Sequence, residues 1–223
     1  MIGRLGFLLL VVAALAGTAS AAGTKDGDPQ KRHNAADQAW AKAMRVQRSD
    51  LGAGDWRVEP SNDDDRGAPK ACKDPDLSDL VETGSAEGPD FSRDGGFVGS
   101  GSIVFQTERQ MTTAWNRLVR TPVTSCLIWG FKQGAAGSGV RIRISSSGPV
   151  RIAKLAPRYK TGRVNLVISG PGGTLKGRFS YYLAAKGRAS VLLMVISLGK
   201  PLTPISESLE RRLATLVAKR LNR

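Results

Sequence analysis

Residues 173–199 read GTLKGRFSYYLAAKGRASVLLMVISLG, and this stretch decides the fold. Leu175, Phe179, Tyr181 and Leu183 alternate with Lys176, Arg178 and Ser180. A period of two is the mark of a strand with one buried face. Gly187-Arg188 turns the chain, and Pro171-Gly172-Gly173 is a second turn signal. Val191 to Leu198 is apolar without interruption, which predicts a central strand covered on both faces. Strands joined by turns this short pair antiparallel.

The neighbouring sequence extends the pattern. Upstream, Val164, Leu166 and Ile168 read as a strand, and so does Val150 to Leu155. Val140, Ile142 and Ile144 alternate with Arg141 and Arg143. Downstream, Pro204 to Arg223 is an amphipathic helix carrying Leu209, Leu213, Leu216, Val217 and Leu221. Towards the N-terminus, Cys126 to Phe131 fits helix or strand. Thr107 caps a helix running to about Arg120, with Met111, Ala114, Trp115 and Leu118 on one stripe. Phe97 to Gln106 reads as a strand, Leu77 to Val81 as a helical turn or two, and Glu59 to Ala71 as a loop. Trp56 and Val58 begin a short strand, and Ala35 to Leu51 is a helix stopped by Gly52-Ala53-Gly54. The expected fold is α+β: a twisted antiparallel sheet of about five to six strands packed by N-terminal, middle and C-terminal helices.

The chain of 223 residues has room for one domain or two small ones. Met1 to Ala21 reads as a secretory signal peptide, with Arg4 in the n-region, an apolar run from Leu5 to Ala16 and Ala19-Ser20-Ala21 as the cleavage site. Residues 22–34 read as a flexible leader and 35–223 as a single extracellular domain. The expectation is a secreted or envelope-associated protein with no transmembrane anchor after cleavage. Export makes Cys72 and Cys126 a disulfide pair, since thiols oxidise in that compartment. Closing a loop of that length stabilises a fold by about 4 kcal/mol in the chain-entropy model.

Charge is unevenly spread. Residues 22–108 carry 11 basic and 17 acidic side chains, whereas residues 109–206 carry 16 basic ones and no acid. The net charge is +14. Arg141 and Arg143 share one strand face, as do Lys176 and Arg178. With Arg151, Lys154, Arg158, Lys160 and Arg163, they form the candidate anion-binding set. After export, the partners such a surface meets are anionic envelope polymers or lipid head groups; nucleic acid is less accessible.

Chemistry is sparse by comparison. His33 is the only imidazole, so no catalytic triad with a histidine outside the leader can form, and no G-x-S-x-G elbow exists. Ser197-Leu198-Gly199-Lys200 and Lys160-Thr161-Gly162 match S-x-x-K and K-T-G, but in the wrong order and with Ser197 ending a strand instead of opening a helix. Asp63-Asp64-Asp65 does not fit an EF-hand, because Arg66 and Lys73 fall where oxygen ligands belong. No catalytic residue, metal site or cofactor is assigned. Trp40, Trp56, Trp115 and Trp129 are candidates to line a ligand cleft, but Trp40 and Trp115 lie on apolar helix stripes and read as core.

The opening helix Ala35 to Leu51, the segment Ser102-Ile103-Val104-Phe105-Gln106-Thr107 leading to Ala114-Trp115, Cys126, and the final Leu213-Ala214-Thr215-Leu216-Val217-Ala218-Lys219 helix form a recognisable set. Over residues 36–222 the chain resembles the extracellular sensor domains of PknH-type bacterial receptor kinases and their secreted and lipoprotein relatives. The resemblance implies an α+β sheet with packed helices and a ligand-binding cleft, and no catalytic residues. The kinase sensor domains carry two disulfides where this chain has cysteines for one, and no kinase sequence accompanies it. The resulting expectation is a non-enzymatic, sensor-like binding domain that takes an anionic or amphiphilic envelope ligand through a cleft with a cationic rim. The alternatives are a small wall hydrolase using Glu59 or Asp90, and a structural envelope protein held by its terminal helix.

Overall fold

The computed structural model describes residues 27–59, 72, 75–135, 139–199 and 205–222. The segment expected to be a signal peptide, Asp63-Asp64-Asp65 and Lys200 to Pro204 lie outside them. Nine strands form one sheet: β1 (Gln30–Lys31), β2 (Arg57–Glu59), β3 (Val81–Glu87), β4 (Asp90–Arg93), β5 (Gly96–Phe105), β6 (Arg141–Gly148), β7 (Arg158–Gly170), β8 (Gly173–Lys186) and β9 (Ala189–Gly199). Their order is β1-β3-β5-β9-β8-β7-β6, with β4 also pairing β5 and β2 pairing β4. The α+β class holds. The sheet is larger than the sequence suggests and mixed, because β1 runs parallel to β3. That short strand lies in the segment expected to be a leader. Residues 30, 32 and 34 donate backbone hydrogen bonds to Leu80, Glu82 and Thr83, so this part of the leader is built into the sheet.

Four helices cover the two faces: α1 (Ala35–Met44), α2 (Glu108–Leu118), α3 (Val123–Ala135) and α4 (Glu207–Lys219). Side chains with the parity of Tyr182, Leu193 and Val98 point to α1 and α4, forming a core with Ala41, Met44, Leu213 and Val217. The opposite parity, including Phe179, Tyr181, Leu166 and Ile196, packs with Leu127 and Phe131 of α3. Phe105 and Ala185 cluster with Met111, Ala114 and Trp115 of α2. The helix caps are local: Asn34, Thr107 and Ser206 each accept the amide three residues on, at 2.9, 3.2 and 3.2 Å. Cys126 resolves to helix, and Cys72 and Cys126 are disulfide-bonded.

Two glycines set the layer spacing. A Cβ on Gly84 would lie 2.4 Å from the Asp37 carbonyl, so β3 touches the backbone of α1 directly. A Cβ on Gly162 would lie 2.2 Å from the Tyr181 ring, which fills that space instead. Two expectations change. Val150 to Leu155 is not a strand: Val150 is buried in the α4-side core, with Ile152 and Leu155 packed against it, but the segment has no ladder partner. Leu77 to Val81 gives a turn and then enters β3. The terminal helix packs on the sheet through Leu213, Ala214, Val217, Ala218 and Leu221, and so is not a free arm.

Candidate functional site: a cationic sheet face and a small cleft

Strand register places the basic residues. On the α4 side of the sheet, Arg141 lies opposite Ser169, Arg143 opposite Val167, and Val167 opposite Lys176. Asn165 lies opposite Arg178, and Arg163 opposite Ser180. Arg141, Arg143, Lys176, Arg178 and Arg163 therefore share one face, on adjacent rows. Helix α4 covers only part of it. Its N-terminal turn sits over Arg163 and Arg178, and the rows of Lys176, Arg143 and Arg141 lie beyond.

The covered arginines have internal partners. Glu210 is fully buried. Its Oε1 accepts from Arg163 Nη2 at 2.9 Å and from the Tyr182 hydroxyl, and its Oε2 lies 3.1 Å from Arg178 Nε. Arg163 Nη1 also reaches Glu207 at 3.1 Å, and Arg178 Nη2 donates to the Ile205 carbonyl at 2.6 Å. Burial pushes the Glu210 carboxyl up, but hydrogen bonds from Ser180, Tyr182 and Arg163 outweigh it and hold the group below the usual glutamate range. Burial and the adjacent carboxylate raise the Tyr182 phenol. Glu207 and Glu210 also lie in the first turn of α4, where the helix dipole favours negative charge.

The other candidates divide. Arg141, Arg143 and Lys176 are exposed, and among the described residues none of the three is in an ion pair. Ser146, Asn165, Ser169 and Thr174 share their face, so the surface between them is mostly polar. Arg151 and Lys154 are exposed on the connection from β6 to β7. Lys160 points to the other side of the sheet and donates to the Val119 and Thr121 carbonyls at 2.6 and 3.3 Å, capping the end of α2.

Arg158 belongs to a different place. It lines a cleft of about 310 Å³ at the opposite end of β7, where α1, α2, α4 and the β8–β9 turn meet. Trp40, Glu108, Lys186 and Leu221 complete most of the wall. Arg158 and Val167 are nine positions apart on one strand, about 30 Å at the rise of a strand. The expected cleft with a cationic rim is thus two separate features. Sequence reasoning missed Glu108 and Lys186 as cleft residues, because they lie far apart along the chain. Trp40 was read as core, and it does pack against the α4-side core, but its ring also reaches the cleft.

Glu59 and Asp90, named for a hydrolase, are register partners across β2 and β4. Among the described residues no cluster of histidine, cysteine or carboxylate side chains could hold a metal, and no helix is long and apolar enough to cross a membrane.

No protein-family model matches the chain, and no curated protein does. Among solved structures, the crystal structure of the extracellular domain of PknH from Mycobacterium tuberculosis is similar with a TM-score of 0.44 and 13% identity, over 83% of this chain and 97% of that one. This is a weak likeness at the level of the fold.

Proposed function

We propose that this chain is an exported, non-enzymatic binding domain for an anionic envelope component, held on the open end of the β6–β8 face. The observation that carries this reading is the unequal treatment of five cations on one sheet face. Arg163 and Arg178 are neutralised by Glu207 and Glu210, whereas Arg141, Arg143 and Lys176 stand exposed on rigid strands without an acidic partner among the described residues. A sheet holds the backbones of such groups at fixed spacing, so only their side chains have to be ordered on meeting a repeating anion.

A polymer of phosphate or carboxylate units fits this surface better than a bilayer does. Stable membrane-surface binding draws on apolar side chains that enter the lipid as well as on charge. Among the described residues the exposed large hydrophobic ones are Val58 and Tyr159, neither of them beside Arg141 or Arg143 in the sheet register. The face offers hydroxyl and amide groups instead.

The test is binding of the oxidised mature protein to isolated envelope, titrated from about 50 to 500 mM salt. Three phosphate contacts give a log–log slope of about −2 to −3, so affinity falls about a hundredfold or more over that range. Arg141→Glu/Arg143→Glu/Lys176→Glu removes the slope. Salt-insensitive retention, or an unchanged slope in that variant, refutes the assignment. A hydrolase is the second reading, favoured only by the register of Glu59 with Asp90. Activity screens on wall polymers with Glu59→Gln and Asp90→Asn discriminate it.

A further inference from the structure

The cleft that holds Arg158 carries a separate conclusion. Five pieces of the chain converge there: α1 brings Trp40, α2 brings Glu108, the start of β7 brings Arg158, the β8–β9 turn brings Lys186 and Gly187, and the end of α4 brings Leu221. Its polar groups are held from behind. Arg158 Nη2 donates to Thr112 Oγ1 at 2.9 Å, and Arg158 Nη1 lies 3.7 Å from Glu108 Oε1, too far for a tight pair. Lys186 Nζ donates to the neutral side-chain amide of Asn222. The Trp40 indole N–H is spent on the Arg220 carbonyl at 3.3 Å, which leaves the ring as an apolar contact surface.

We infer that this cleft is a second binding site, for a single sugar ring bearing one anionic substituent. Three features point to that class. The volume of about 310 Å³ is at the small end of ligand sites, enough for one substituted ring and too little for an oligomer. Two cations and one carboxylate leave the lining net positive, and a guanidinium anchored to Thr112 through Nη2 keeps further N–H donors for a carboxylate or phosphate. An indole beside an acceptor carboxylate suits a ring whose C–H face is apolar and whose edge carries hydroxyl groups. An inorganic anion such as phosphate would use the cations and leave Trp40 idle, and a neutral sugar would leave the cations unpaired.

Glucuronate and glucose 1-phosphate are the probes, carrying the charge as carboxylate or as phosphate; glucose and inorganic phosphate are the controls. Binding to the disulfide-bonded protein is read by calorimetry and tryptophan fluorescence. At least one charged sugar binds saturably, about tenfold or more tighter than either control. The stronger of the two identifies the anionic group. Lys186→Gln, an exposed change that spares the core, weakens it about tenfold, and Arg158→Gln weakens it at least as much. Circular dichroism and melting of both variants separate lost binding from lost folding. Equal affinity for glucose or for phosphate, no saturation below about 10 mM, or an unchanged affinity in folded Lys186→Gln each overturns the proposal. Loss of envelope binding on mutating the β6–β8 face bears on the other site alone, so the two readings fail separately.

Discussion

Arg163 and Arg178 differ from Arg141, Arg143 and Lys176 only in what lies above them. All five share one face of three adjacent strands. Two are closed over by the first turn of α4, whose Glu207 and Glu210 complete a network with Tyr182. Three are left to solvent. The comparison teaches that a run of basic residues is two populations: one is consumed in attaching a helix, and the other is available to a partner. Sequence spacing gives no way to divide them.

The largest expected effect lies in the covered half. Glu210→Ala leaves the buried Arg178 and the half-buried Arg163 short of their counter-charge, and breaking such a buried cluster costs about 3–5 kcal/mol. Urea denaturation measures it, and Glu210→Gln, which keeps the shape and the Tyr182 contact, loses less. A cost under about 1 kcal/mol for Glu210→Ala would break the comparison.

Acid sharpens it. Asp37 is lowered to about 2, chiefly by its hydrogen bonds from Arg188, and Glu210 is also held low. A carboxyl depressed in the folded state contributes stability that is fully present above the unfolded range and is lost as pH falls through it. For Asp37 this window runs from about pH 4 down to about 2, and the loss is about 2 kcal/mol. Chemical denaturation repeated at pH 7, 4 and 2.5 should follow that fall, and Glu210→Gln should flatten part of it. The smallest stability effect belongs to the open half: Arg141→Glu, Arg143→Glu and Lys176→Glu should each stay within about 0.5 kcal/mol of the parent in the same assay. A larger loss would mean that this face is structural too.

The sequence made the C-terminal half of the sheet legible because β7, β8 and β9 carry large apolar side chains at period two. It hid β3. Val81–Glu87 reads VETGSAE, with small residues where a strand signal is sought, because Gly84 meets the backbone of α1 and has no room for a side chain. Val150 and Ile152 misled in the opposite sense, burying apolar groups without a pairing strand. The basic face was legible as alternation, but its division was not, since Glu210 meets Arg163 across 47 positions. The cleft was less legible still, with Trp40 and Leu221 far apart in the sequence.

The middle of the sheet is the pairing of β5 with β9, residues 96–105 with 189–199, and α4 follows later still. A ribosome delivers β5 long before its partner exists. Until β9 and α4 have been made, β5 has no partner across the centre of the sheet, and Arg163 and Arg178 have no glutamate. A sheet whose central pair joins segments so far apart in sequence cannot close until the later strand is present.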